Sequence, residues 1–379
     1  MRLDIDGRNC ELESGRSILD AVKKEGLDSI MLSDRPLAAQ IGGEVFNLRF
    51  TPKKDTQIHL LRYGEDMGRR VYERTLQFLF ILAMRKEFPR ARVCVRYSLG
   101  PGLFITVDGM EEPFNEEAAL KVETEMRRLV RLKLPLERRR ISIKEALSFY
   151  EQDGQADKAK LLKWRRFSYF DVYQIDGYMD YFYGEMAPDT SYADVFRVKY
   201  VHDGAVVLLM PRNDAPDVPS DYVDLPKLHA VFHQSDEWGK LMECATVNDL
   251  NTHIQNGTIR ELVRINEALH DRGYADIADK IVQKGAKAVL VAGPSSSGKT
   301  TSAHRISTQL RLQGCHPVML SLDDYYIDRD KIERDENGEI DLENINTLDI
   351  QRFGSDLAAL IRGEKVELSL IHISEPTRR

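Results

Sequence analysis

Residues 293–300 have the side-chain types and the spacing needed to hold a polyphosphate. They read Gly-Pro-Ser-Ser-Ser-Gly-Lys-Thr and fit the phosphate-loop pattern GxxxxGK followed by Ser or Thr. In this pattern the backbone N–H groups and a helix N-terminus face the phosphates, Lys299 reaches the β- and γ-phosphates, and the Thr300 hydroxyl binds Mg²⁺. The predicted cofactors are therefore ATP and Mg²⁺. The predicted nucleotide-binding residues are Gly293, Pro294, Ser295, Ser296, Ser297, Gly298, Lys299, Thr300 and Thr301.

Two carboxylates and two tyrosines follow the next apolar segment of the chain. Asp323, Asp324, Tyr325 and Tyr326 come directly after residues 318–322. A carboxylate at this place can accept the proton of a substrate hydroxyl during phosphoryl transfer, and a tyrosine can bind the acceptor. The alternative is that Asp323 or Asp324 only caps the helix that follows.

Two strands and a helix are needed to position these groups. The apolar segments 287–292 and 317–322 predict buried strands, and residues 301–312 predict a helix. Ligands of open α/β sheets bind at the carboxyl ends of the strands, so both groups of side chains would face one crevice. The pattern predicts a doubly wound domain, and the alternative is an ordinary Gly/Ser-rich turn between a strand and a helix.

The motifs GPSSSGKTT, SLDDYY, DENG and DLE, in that order, resemble the uridine kinase and phosphoribulokinase family of P-loop kinases. The resemblance implies that Asp323 is the catalytic base, acting with Lys299. It also implies that Tyr326 binds the nucleoside and that Glu343 or Asp341 holds the ribose hydroxyls. The implied function is that of an ATP-dependent nucleoside kinase, which transfers the γ-phosphoryl group to the 5′-hydroxyl of a uridine- or cytidine-type nucleoside.

The first 62 residues read as a small mixed unit. Residues 1–5 alternate as in a strand, residues 17–24 predict a capped short helix, and residues 44–50 and 57–61 predict further strands. This order resembles the TGS domain, a ubiquitin-like β-grasp module at the N-terminus of threonyl-tRNA synthetase. The resemblance implies a binding or packing module over residues 1–62.

Residues 63–240 resemble the second domain of threonyl-tRNA synthetase, which has an editing-type α+β fold. The resemblance follows the run from Arg138 to Leu147 and the later segment 184–190. That family binds a metal through an HxxxH pair and a CxxxH pair. The aligned positions of this chain carry Glu73, Gln77, Phe182 and Met186. Phenylalanine offers no ligand atom and methionine is a weak one, so we predict a scaffold without zinc or hydrolytic activity.

The remaining segments complete the predicted organisation, an α/β multidomain protein. A helical connector spans residues 241–284, and the N-terminal part of a P-loop kinase domain of the doubly wound type spans residues 285–367. The whole order resembles a bacterial family of long uridine-kinase-like nucleoside kinases. Residues 368–379 resemble the translation of a sequencing adapter, and we expect an artefact there. The family's strand between segments 287–292 and 317–322 is then missing, so we expect this chain to be truncated and catalytically inactive.

Composition bears on partners and compartment. The net charge is −7, and no apolar run reaches the ~20 residues of a membrane span. Four cysteines without a CxxC pair indicate neither disulfides nor a cysteine zinc site. We therefore predict a cytoplasmic protein with a nucleoside substrate and no membrane partner. The sequence defines no oligomeric state.

RNA is the less favoured partner from the sequence. The basic segments 127–133 and 138–140 can touch RNA phosphates, but acidic residues upstream favour a solvated helix face. The alternative function is an RNA- or tRNA-associated, nucleotide-sensing P-loop module without nucleoside turnover.

Overall fold

A computed structural model describes residues 1–202, 204–327, 332 and 344–366. The chain divides into two compact units, Met1–Asn251 and Thr252–Arg379. Several separate sheets and ten α-helices occur in the described ranges, which makes the protein a mixed α/β multidomain chain. No helix in those ranges has both the length and the apolarity needed to cross a membrane.

A five-stranded sheet with strand order β2-β1-β5-β3-β4 opens the first unit. Its elements are β1 Arg2–Ile5, β2 Arg8–Glu11, α1 Ile18–Lys24, β3 Ala38–Ile41, β4 Glu44–Phe46 and β5 Thr56–Leu61. Helix α1 begins with a capping box, in which the Ser17 hydroxyl accepts from the Asp20 N–H at 3.2 Å and the Asp20 carboxylate accepts from the Ser17 N–H at 2.8 Å. The predicted strands at 1–5 and 57–61 and the predicted helix at 17–24 are present. The strand predicted over residues 44–50 ends earlier, at Phe46.

The largest core of the first unit lies between two long helices and an antiparallel sheet with strand order β11-β12-β7-β6. These elements are α2 Asp66–Glu87, β6 Arg92–Leu99, β7 Gly102–Asp108, α3 Glu116–Leu132, β11 Arg197–His202 and β12 Ala205–Leu209. Tyr72, Phe78 and Val122 are fully buried there. Ala38 and Leu61, from the first sheet, belong to the same core, so residues 1–62 pack against the segment that follows.

A third sheet with strand order β10-β9-β8 packs against two short helices. These elements are β8 Glu137–Ser142, α4 Ile143–Gln152, α5 Ala156–Leu162, β9 Tyr169–Ile175 and β10 Tyr178–Asp180. Alternate residues of β8 and β9 face inward, so Ile141, Phe170 and Val172 form a small core with Tyr150. The chain continues through β13 Pro211–Arg212, β14 Ala215–Pro219, α6 Pro226–Leu241 and α7 Val247–Asn256.

The second unit is mainly helical in its described part. Its helices are α8 Ile259–Gln283, α9 Lys299–Leu312 and α10 Ile350–Ile361. Helices α8 and α9 pack through Ala278, Ile306 and Leu310. Helix α8 runs through Gly273 without a break, since an interior glycine costs only ~1 kcal/mol and this packing offsets it.

The two strands predicted around the phosphate loop are not present. Residues 287–292 and 317–322 contain no strand, and Leu290 and Val318 are 84% and 65% exposed. An isolated extended segment cannot pair its backbone N–H and C=O groups, and no described strand lies beside either segment. The apolar composition of these segments was therefore a misleading signal for buried strands.

Candidate functional site

The predicted phosphate loop contains two residues with left-handed backbone conformations. Ser296 and Gly298 have positive φ angles of 60° and 83°, and Gly298 is the residue before the first turn of α9. At Gly293, a Cβ atom would lie 2.7 Å from the Ser297 Oγ, so a larger residue would clash. Because the first N–H groups of α9 have no acceptor within the helix, they are available to an anion.

Lys299 crosses the mouth of this loop. Its Nζ donates hydrogen bonds to the carbonyl oxygens of Gly293 at 2.9 Å and Pro294 at 2.8 Å. Both carbonyls belong to the loop, so the ammonium group lies over the loop and next to the helix N-terminus. Thr300 follows in the first turn of α9. The arrangement places one cation, the helix dipole and a hydroxyl at a single exposed point, which suits a phosphate group.

The predicted catalytic and substrate residues lie in a different local structure. Asp323 lies in the 3-10 helix Leu322–Tyr325, which is capped by Ser321, so neither aspartate acts as the cap. Among the described residues, no hydrogen bond or ion pair joins the Asp323 carboxylate to the phosphate loop. Tyr326 forms an isolated β-bridge with Leu348.

Sequence reasoning singled out Tyr326, whereas the neighbouring Tyr325 is the buried tyrosine. The Tyr325 hydroxyl donates to Asp356 of α10 at 3.1 Å. The other two predicted substrate residues, Asp341 and Glu343, lie outside the described part of the chain, as does the segment 368–379.

The four positions aligned with metal ligands lie on α2 and in the segment after β10. Gln77 Nε2 donates to Glu73 Oε1 at 3.0 Å. The Phe182 ring packs 5.2 Å from the Phe78 ring, and Met186 is fully buried. The structure thus places an amide–carboxylate pair and two apolar side chains at these positions. No group of three His, Cys, Asp or Glu side chains that fits a metal ion occurs in the described ranges. This donor set does not fit zinc, and the absence of zinc from the protein stays a prediction.

Glu73 lies in a polar setting of its own. It lines a cleft of about 480 Å³ together with Tyr63, Arg69 and Asn213. Burial raises the pKa of the Glu73 carboxyl, and the lowering effect of Arg74 and Arg69 is smaller. Glu73 therefore takes up a proton at a higher pH than an ordinary glutamate carboxylate does.

An ion pair with a buried carboxylate was not predicted from the sequence. Lys158 Nζ donates to both carboxylate oxygens of Asp180, at 2.6 and 2.7 Å, and Asp180 is only 2% exposed. The ammonium group lies 5.6 Å from the Tyr150 ring centroid and 5.4 Å from that of Tyr181. Burial, and next the Asp180 charge, raise the pKa of the Tyr150 hydroxyl well above its usual range. Lysine and aspartate are common surface residues, so only their burial identifies this pair.

Comparison with known proteins relates this chain to tRNA ligases. It is 25% identical over 194 residues to a threonine–tRNA ligase of Clostridium kluyveri, which covers 51% of this chain and 30% of that protein. It is 28% identical over 160 residues to the Acetivibrio thermocellus ligase (42% and 24% covered) and 27% identical over 175 residues to the Carboxydothermus hydrogenoformans ligase (44% and 26%). The chain thus spans less than a third of the length of these relatives. No protein-family model matches it.

These relatives correct the functional prediction. The identification as a uridine-kinase-type nucleoside kinase, with a nucleoside as substrate, is wrong, because the similarity is to threonine–tRNA ligases and no family model supports a kinase. The preference against RNA as a partner is wrong for the same reason. The similarity supports an editing-like α+β region, in agreement with the mixed sheets and helices of the first unit.

Proposed function

We propose that this protein binds tRNA through its first unit and a nucleoside triphosphate at the phosphate loop of its second unit. The observation that carries the tRNA part is the similarity to threonine–tRNA ligases over as many as 194 residues. The joining of threonine to tRNA is not proposed, since 70% or more of each relative lies outside the match.

The nucleotide part of the proposal rests on residues 293–301. The positive φ angles of Ser296 and Gly298, the space limit at Gly293 and the position of Lys299 all fit a bound phosphate. ATP is the proposed ligand, with Lys299 against its phosphates and the Thr300 hydroxyl toward Mg²⁺. Bound Mg²⁺ would neutralise part of the triphosphate charge. The backbone N–H groups of the loop would donate to the phosphate oxygens. The proposed role of the bound nucleotide is sensing.

Two titrations of the full chain test the two parts separately. Fluorescence anisotropy with labelled tRNA should show saturable binding that weakens as salt rises. A fluorescent ATP analogue with Mg²⁺ should bind, and Lys299→Ala should weaken that binding about tenfold or more, since hydrogen bonds to charged groups contribute ~1.5–3 kcal/mol. Lys287→Ala, which removes an exposed lysine outside the loop, is the matched control.

The outcomes are distinct. Failure of the wild-type protein to bind tRNA at low salt would refute the RNA part. Equal affinity of Lys299→Ala and Lys287→Ala for the nucleotide would show that the phosphate loop is not the nucleotide site.

A further inference from the structure

Two aromatic side chains are exposed side by side between α5 and β9. Phe167 is 61% exposed and Tyr169 is 37% exposed, and their ring centroids are 5.8 Å apart. Neither ring belongs to the small core behind this sheet. A single exposed apolar residue needs no explanation, but these two adjacent rings, tilted by 41° to each other, leave a larger apolar surface in water.

The loop that carries Phe167 is anchored from within. Trp164 Nε1 donates to the side-chain oxygen of Asn248 at 3.0 Å, and the Arg165 guanidinium lies 4.7 Å from the Phe170 ring centroid. The flanking cations, Lys163 and Arg166, are exposed. Neither has an ion-pair partner among the described residues. The loop therefore directs two side chains inward and presents two free positive charges to solvent.

The neighbouring strand β8 adds further positive charge. It is an edge strand, and its three arginines are exposed. The Arg140 guanidinium lies 4.1 Å from the Tyr169 ring centroid and pairs with Asp171, which also pairs with Arg138. Arg139 lies opposite Val172 in the register, on the face of the sheet that carries the small core, so it does not belong to the Tyr169 face.

We propose that this surface, formed by Lys163, Arg166, Phe167, Tyr169 and Arg140, binds single-stranded RNA. Bases stack on the two rings, and the backbone phosphates meet the free cations. Proteins that bind single strands combine these two features, whereas a duplex offers no exposed base faces to stack on. The inference rests on the proposed function that the first unit binds RNA, and it locates the contact.

The test compares two double variants with two matched controls in the full chain. Phe167→Ala/Tyr169→Ala removes the rings, and Phe50→Ala removes a partly exposed ring elsewhere. Lys163→Ala/Arg166→Ala removes the cations, and Lys53→Ala/Lys54→Ala removes two exposed lysines from another loop. Binding to a labelled 12-nucleotide single strand, to a duplex of the same length and to tRNA is measured at several salt concentrations, with circular dichroism as the check of folding.

We expect the ring variant to weaken single-strand binding about tenfold or more, since each stacked base contributes ~1–3 kcal/mol. The cation variant should reduce the slope of log affinity against log salt by about 1.4, or ~0.7 per phosphate contact. Neither control should change either quantity. The proposal for this surface would be refuted, even if tRNA still binds, if both double variants kept the wild-type affinity. Equal binding of the duplex and the single strand would also refute it. If the ring variant fails to fold, the salt slope of the cation variant decides. Absence of binding by the wild-type protein to tRNA and single strand alike would instead refute the proposed function.

Discussion

Breaking the Lys158–Asp180 pair from its two sides should destabilise the first unit by unequal amounts. Asp180 is 2% exposed, and besides the Lys158 ammonium group its carboxylate accepts a hydrogen bond from the Tyr181 N–H at 2.8 Å. The Lys158 side chain is 30% exposed and can reach water. Lys158→Met therefore leaves a buried, unpaired carboxylate, which costs about 3–5 kcal/mol. Asp180→Asn leaves an ammonium group that turns to solvent, with a loss of about 1–3 kcal/mol.

Urea unfolding followed by tryptophan fluorescence measures both losses. The chain has two tryptophans, Trp164 and Trp238, and both lie in the first unit, so the signal reports on that unit alone. A loss of 3–5 kcal/mol corresponds to a fall in Tm of about 6–20 °C for a unit of this size. The double variant should lose less than the sum of the two single variants.

A pH series separates a charge effect from a packing effect. In Lys158→Met the penalty exists only while the buried Asp180 carboxylate is charged, so the stability loss should be present at neutral pH and shrink in acid. This reasoning would be refuted if Lys158→Met were at least as stable as Asp180→Asn. It would also be refuted if the stability loss of Lys158→Met did not change with pH.

Two further predictions concern helix α6 and metal content. Burial, and then the neighbouring His202 and His233, lower the pKa of His229, and the nearby Asp224 acts in the opposite direction. The His229 Nδ1 atom also shares a hydrogen bond of 2.7 Å with the Tyr97 hydroxyl. The folded state then binds fewer protons than the unfolded one, so α6 should lose protection against hydrogen exchange as pH falls below about 6.5, and His229→Gln should remove that dependence. Equal protection of α6 at pH 7.5 and 5.5, after correction for intrinsic exchange, would contradict this. Purified protein should carry no stoichiometric zinc by elemental analysis, and about one zinc per chain would show that the alignment at the four ligand positions is wrong.

Local structure was predictable where nearby residues determine it. The capped short helix predicted over residues 17–24 is present as α1 with Ser17 as its cap, and α9 begins at Lys299, two residues before the predicted start at Thr301. The strand predicted at 287–292 is absent, and this was not predictable, because a strand needs a partner and composition contains no information about one. The Lys158–Asp180 pair was invisible for a similar reason, since two residues 22 positions apart are joined only by the fold.

The functional error has a different origin. A match of eight residues to the phosphate-loop pattern predicts a kind of binding site. Such a site alone does not determine the reaction. The nucleoside-kinase prediction extended that short pattern to a whole activity. The similarity over half of the chain points instead to threonine–tRNA ligases, and nucleotide binding by residues 293–301 stays a prediction.

The net charge of −7 also misdirected the prediction about RNA. At physiological salt, charges more than about 8 Å apart are largely screened from one another, so a phosphate group interacts with the local surface and not with the whole chain. The relevant quantity is the number of exposed cations without a carboxylate partner, and Lys163 and Arg166 meet that condition in the loop that carries Phe167. Two such contacts give a salt slope of about −1.4 for a single strand. An acidic protein can therefore bind RNA, with an affinity that falls only modestly as salt rises and with specificity that depends on the stacking surface.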